Sequence, residues 1–169
     1  MFCFGMKIHI KPMVWLLVMV LILSLFFSEV EIQIEGAAGW AANLPTWRIE
    51  HHWLLDIFWG GRAMTGYHAW VFIFIILIFH FPFFLFGCWS RRLEARVLAS
   101  IMLFWAAEDC LWFVLNPAYG WTKFTPEIVR WHHHWAAGVP VDYWFALVIG
   151  LSLMILSYKD NPITTTAAA

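Results

Sequence analysis

Searched for runs without charge, the chain separates into four apolar stretches joined by polar ones: "MVWLLVMVLILSLFFS", "AWVFIFIILIFHFPFFLFGCW", "VLASIMLFWAAEDCLWFVL" and "YWFALVIGLSLMILSY". A hydrocarbon core about 30 Å thick takes roughly 20 residues of helix. The pattern therefore predicts spans at about 13–28, 67–89, 97–115 and 140–158, with loops at 29–66 and 116–138. The fold class that follows is all-α integral membrane, a four-transmembrane-helix bundle forming one domain over 1–169. The tail 160–169, which includes "TTTAAA", is expected to be disordered.

The first loop carries local patterns of its own. In "EVEIQIE", Val30, Ile32 and Ile34 alternate with Glu29, Glu31, Gln33 and Glu35, a period of two that predicts a short strand. "GAAGWAANLP" has the Gly, Asn and Pro of a turn. "TWRIEHHWLLDIFWGG" predicts an interfacial helix of about ten to fourteen residues, with Thr46 as N-cap, Trp53, Leu54, Ile57 and Phe58 as the apolar stripe and Gly60 and Gly61 as the stop. Strand and helix would sit in a Trp-rich outer cap, because Trp40, Trp47, Trp53, Trp59, Trp121, Trp131 and Trp135 all fall in the loops. An aromatic belt at the headgroups explains part of that enrichment. A fold-back of the loops, or stacking on a ligand, would account for the rest.

Composition agrees with the pattern: 63% of the 169 residues are hydrophobic and 12% charged, too apolar for an ordinary soluble domain. The first stretch, preceded by Lys7 and Lys11, also resembles a signal peptide, but "SLFFSE" lacks small cleavage-site residues, so it is read as an uncleaved anchor. Lys7, Lys11, Arg91, Arg92, Arg96 and Lys159 fall on the side of the termini, against Arg48, Arg62, Lys123 and Arg130 in the long loops. The positive-inside rule then places both termini in the cytoplasm and the long loops on the outer, periplasmic side. A net charge of −1 gives no footing for nucleic-acid binding. Cys3, Cys88 and Cys110 form no C-x-x-C pattern, and no disulfide is expected.

Chemistry enters at "EDC" in the third span. At 100° per residue, Glu108, Asp109, Trp105, Trp112 and Asn116 share an arc of about 100°, so that face must look at protein or at a water-filled space. Intramembrane acids are candidate functional groups by default, and Glu108 and Asp109 are the candidate catalytic residues. "RWHHHW" adds three imidazoles in the second loop. In an extended segment His132 and His134 share a face while His133 points away. Together with His68 at the head of span two they suggest a metal site of His68, Glu108, His132 and His134 for a divalent transition metal, Zn, Fe, Mn or Cu. Asp109 or Asp142 would be an extra ligand or hold an imidazole by its second nitrogen.

Other readings stand beside this one. Arg48, Arg62, Lys123 or Arg130 can neutralise the acids directly, and His and Trp suit a bilayer surface without any ion. Arg62 would pair with span three or bind an anionic headgroup. "LNPAYG" reads as a helix exit, with Asn116 capping and Pro117 ending the span. His80 lies deep in span two beside Pro82, where a backbone carbonyl can accept its proton. No second deep histidine exists to make a haem pair with it. The sequence lacks H-E-x-x-H and the histidine boxes of membrane desaturases. The expected function is a metal-binding, catalytic site at the outer leaflet acting on a lipid-like substrate. The alternative is a non-catalytic accessory subunit of a larger membrane complex, in contact with other membrane subunits or a second copy. Transport is a third class, with no inverted repeat to support it.

Overall fold

The structure, a computed structural model, describes residues 10–58 and 61–159. Lys7, Cys3, Trp59, Gly60 and the tail 160–169 lie outside the described residues. Four helices are long and apolar enough to cross a membrane. In chain order the elements are α1 Ile10–Glu35, β1 Arg48–Ile49, α2 Trp53–Phe58, β2 Met64–Thr65, α3 Gly66–Phe86, α4 Arg91–Leu115, β3 Trp135–Ala136, β4 Val139–Pro140 and α5 Val141–Tyr158, with a 3-10 turn at Trp121–Lys123.

The predicted strand at 29–35 is overturned: the whole of "EVEIQIE" continues α1. The alternation misled because it coincides with a helical face of unusual polarity. Glu31 and Glu35 are four residues apart, hence on one side of a helix, and that side is the buried one, while Val30 and Ile34 are 51% and 43% exposed. Glu31 and Glu35 turn inward together with Ile32, while Val30 and Ile34 turn outward with Glu29 and Gln33. The helix stops at Gly36, which has φ 63° and whose N–H donates to Ile32 O, the left-handed exit that glycine adopts without penalty.

The interfacial helix shrinks to six residues, Trp53–Phe58. Thr46 does not cap it; its hydroxyl accepts from the N–H of Tyr67 instead. The residues on either side form the antiparallel pair β1–β2, Arg48 opposite Thr65 and Ile49 opposite Met64. A second small hairpin, β3–β4, turns on Ala137 and Gly138 with φ 52° and 76°, the two positive φ values of a type I′ turn. "SRRLEAR" is helix rather than loop. Ser90 accepts from the N–H of Leu93 as the N-cap of α4, so α4 begins six residues before the predicted boundary of 97. The cap is the reason: an N-cap serine supplies an acceptor for an otherwise unpaired N–H.

α1 and α4 run parallel and in register. Ser24 donates to Phe104 O at 3.1 Å, and Asn116 donates to Gly36 O at 2.8 Å, each pair eighty positions apart. Asn116 also ends α4, its N–H bonded to Trp112 O. α5 returns against α4 at Gly150, where an added Cβ would come 3.0 Å from Leu103 Cγ. α3 touches the bundle through His68, Ile75 and ring contacts of Phe72 with Trp105 and Phe79 with Phe104.

Two apolar clusters result. One, around Val20, Ile75, Ala99, Leu103, Phe104 and Met154, lies in the helices. The other, around Ile32, Trp112, Phe113, Phe124, Val129 and Tyr143, joins the loop ends of the helices to the loops. Trp131 stacks on Phe113 at 5.5 Å there, so this end does carry an aromatic cap. On α4, Glu108 and Asp109 fall between Phe104 of one cluster and Trp112 of the other.

Candidate functional site

A cavity of about 540 Å³ opens at the loop end of the bundle. Five carboxyl groups line it, Glu31, Glu35, Glu108, Asp109 and Asp142, together with Arg62 and His68. Further along the helices the walls are Phe72, Ile76, Ile101, Met102, Ala106 and Ala146. Ile101 is seven residues from Glu108, about 10 Å along a helix. The space is therefore polar at one end and apolar at the other.

Glu108, 2% exposed, is the most deeply buried of the acids. Its carboxyl group and that of Glu31 meet at hydrogen-bonding range. Carboxylates are acceptors only, so such a contact requires a shared proton. Glu108 Oε1 is buried without a hydrogen-bond donor, and Nε1 of the neighbouring Trp112 without an acceptor. Buried polar atoms in folded proteins are nearly always paired, which makes these two atoms the conspicuous feature of the cavity. The other acids are engaged. Tyr67 donates to Glu31 at 2.8 Å, and the N–H of Ala41 donates to Glu35 at 2.5 Å. Both tyrosine and backbone partner are placed by the α1–loop–α3 path.

Asp109 belongs to a second network. His132 Nε2 lies 2.9 Å from Asp109 Oδ2, and the hydroxyl of Tyr143 donates to the same oxygen. On the other side of the ring, Nδ1 is 3.3 Å from Asp142 Oδ2. Asp142 also receives Arg62 at 2.5 Å, and that guanidinium lies 4.7 Å from the ring centroid of Trp40. A carboxylate near each nitrogen favours the imidazolium form of His132, while Arg62 Nη1, 3.4 Å from Nδ1, opposes it. Burial alone disfavours its charge, but Asp109 and Asp142 outweigh that, with Arg62 opposing, and its pKa is held above the ordinary 6.5.

The sign of this shift gives a test. A raised folded-state pKa stabilises the fold below the unfolded value of 6.5, and the contribution fades as pH rises through the folded value. Thermal unfolding in mild detergent from about pH 6 to about pH 9 is expected to show a stability decline in the wild type that His132→Gln lacks. Parallel pH profiles of the two proteins would show that the imidazolium contributes nothing.

Of the expected ligands, His68, Glu108 and His132 reach this region and His134 does not. His132 is buried, whereas His133 and His134 are exposed. The expected sharing of a face by His132 and His134 fails because His132 belongs to the tight turn before β3, its N–H bonded to Val129 O, and not to an extended segment. His68 is held elsewhere. The Thr65 hydroxyl accepts from the backbone N–H of His68 and lies 2.7 Å from its Nδ1. Nε2 is 3.9 Å from Glu35 Oε1, and the ring stacks on Trp40 at 4.0 Å. Among the described residues no group of three or more His, Cys, Asp or Glu side chains is arranged to hold an ion. Arg62 pairs with Asp142 in the first turn of α5. His80 is bonded to Ile76 O at 2.7 Å and reaches Glu94 at 3.1 Å, and it is not among the residues that line the cavity.

Glu31, Glu35, Tyr67, Tyr143 and Trp40 were not singled out from the sequence. The i, i+4 spacing of Glu31 and Glu35 immediately before "GAAG" was the available signal, since it fits the last turn of a helix as well as it fits a strand. No family model, no curated protein and no solved structure matches the chain, so function is argued from this geometry.

Proposed function

We propose that the chain is a multi-pass membrane protein whose cavity takes up one amphiphilic molecule and exchanges protons with its polar end. The carrying observation is the cavity itself, whose wall includes the buried Glu108 among four other carboxyl groups at one end and which continues into an apolar floor. A volume of about 540 Å³ suits a ligand of lipid-chain or drug size. The apolar part would lie along Ile76, Ile101 and Met102. Its polar end would then meet Glu108, the group that shares a proton with Glu31 and can act as general acid or base. Asp109 lines the same space but is fixed by His132 and Tyr143, so His132 is a positioning residue rather than a catalytic one.

This reading takes acid–base chemistry in place of the metal site, because among the described residues no group of three or more His, Cys, Asp or Glu side chains is arranged to hold an ion. His132 is engaged by Asp109, Asp142 and Arg62, and His68 by Thr65. Elemental analysis of untagged protein checks that choice: stoichiometric Zn, Fe, Mn or Cu, lost in both Glu108→Ala and His132→Ala, would reinstate the metal.

The binding claim is tested by photo-crosslinking in lipid nanodiscs with diazirine-tagged twelve-carbon amphiphiles bearing an alcohol, a carboxylate or an ammonium head. At least one is expected to label α3 and α4 walls such as Ile76 and Met102, to be displaced by its untagged form, and to be excluded by Ala146→Phe, which fills the floor. Labelling spread along the lipid-facing residues Phe74, Phe81 and Phe84, indifferent to competitor and to Ala146→Phe, would defeat the proposal.

A further inference from the structure

The side on which the cavity opens narrows its ligand further, an inference that rests on the amphiphile reading above. α3 and α5 both pack on α4, the one through Phe72 against Trp105 and Phe79 against Phe104, the other where Gly150 comes close to Leu103. With each other they have little contact among the described residues. The cavity lies in the cleft between them, with Ile76 on the α3 wall, Ala146 on the α5 wall and Ile101 and Met102 of α4 behind. Ile76 lines this space and yet is 45% exposed. Residues three or four apart share a face of a helix. The next position away from the loops is therefore Leu98 after Ile101 and Met102 on α4, and Ile149 after Ala146 on α5. Neither lines the cavity, and each is 44% exposed. On these faces the floor passes out onto the outer surface of the bundle.

Ile76 stands ten residues after Gly66, and Ile101 fourteen before Leu115. At 1.5 Å per residue these are depths of about 15 and 21 Å from the loop end. On the multi-pass reading, both fall within a hydrocarbon core about 30 Å thick, so the open side faces lipid. The polarity of the space also runs as it does across one leaflet, with carboxyl groups and Arg62 toward the loop end and apolar walls toward the middle of the helices. At the loop end Arg62 reaches across to Asp142, and Trp40 donates to Ala63 O on the same connection, so side chains bridge that end. A lipid standing in the leaflet presents head and chain in the matching order without turning. An open side also lets a second chain remain in the bilayer. We propose that the ligand is a lipid of the surrounding bilayer, which enters sideways between α3 and α5, sets one chain along Ile76, Met102 and Ala146, and brings its head to the carboxyl end.

The test keeps the photo-crosslinking assay and compares probes that stay in the bilayer with probes that can leave it. Nanodiscs are doped with a diacylglycerol or a phosphatidylethanolamine carrying the diazirine at the end of one long acyl chain, and in parallel with the twelve-carbon amphiphiles. In the wild type at least one of the two lipids is expected to label Met102 and Trp105 as well as the lipid-facing Phe74, and not the buried Phe104. The double variant Leu98→Trp/Ile149→Trp enlarges two exposed positions on the rim. It is expected to lose the Met102 and Trp105 labels from lipid and twelve-carbon probes alike, while Phe74 keeps its own. Cavity labelling by a twelve-carbon probe but by neither lipid would overturn side entry and leave an amphiphile site reached from the loop end. So would cavity labelling that survives the rim variant. The wild-type comparison decides between the two routes whether or not that variant folds. If no probe of either kind labels the cavity, the amphiphile reading itself fails, and side entry with it.

Discussion

His132→Ala is expected to destabilise the protein by about 2–5 kcal/mol, measured by reversible unfolding in mixed micelles. The same substitution at His133 or His134 should stay within about 0.5 kcal/mol. The contrast comes from where the three side chains sit. His132 has 1% of its side chain exposed and lies between Asp109 and Asp142, whereas its two successors are exposed. Removing it leaves a hole against Phe113, Trp135 and Tyr143, whose rings surround it. Two carboxylates also lose a cationic donor. Tyr143 and Arg62 continue to serve them, and Asp142 is 41% exposed, which keeps the loss within the range for one broken buried pair. His132→Gln offers donors in a smaller shape and should recover part of the loss at high pH, where the wild-type imidazolium is itself giving up its proton. Equal effects at all three histidines would mean that "RWHHHW" acts as a unit, as a metal-binding loop requires, and would count against the network described here.

The four long apolar helices were legible because each is recorded redundantly by about 20 apolar residues, the length that crossing a bilayer would demand. The helix ends were not, since each depends on one or two side chains: Ser90 lengthens α4, and Gly36 lets α1 run on through its acids. The misread segment shows the limit of periodicity. In "EVEIQIE" a two-residue alternation and an i, i+4 acidic pair occupy the same seven letters, and only the partners across the bundle, Tyr67 and Glu108, decide between them. The polar arc of α4 was readable in advance for a related reason: inside an apolar helix any acid must face inward, so Glu108 and Asp109 mark the interior by themselves. What they would meet was not readable. His132, His133 and His134 are equivalent as letters, and a single turn selects which of them is buried. Arg62, from a glycine-rich connection with no strong pattern, reaches Asp142 eighty residues away, a contact that no local rule announces.

Glu108→Met is expected to raise stability by about 1–2 kcal/mol and to weaken the competition of untagged amphiphile for the cavity. An orphaned buried acceptor costs roughly 1–3 kcal/mol, and methionine fills a similar volume with no polar atom to satisfy. Glu31 loses its carboxyl partner in the variant but keeps the 2.8 Å bond from Tyr67, which limits the offsetting loss. A gain in stability together with a loss of binding is the signature of a residue retained for what it does to a ligand at the expense of the fold. It separates Glu108 from Asp109, whose removal strips His132 of its acceptor and Tyr143 of its bond and is expected to weaken the protein. If Glu108→Met instead lowers stability by more than about 1 kcal/mol, the Glu31–Glu108 contact is a structural clasp between α1 and α4. The cavity above it would then have no polar group waiting for a ligand.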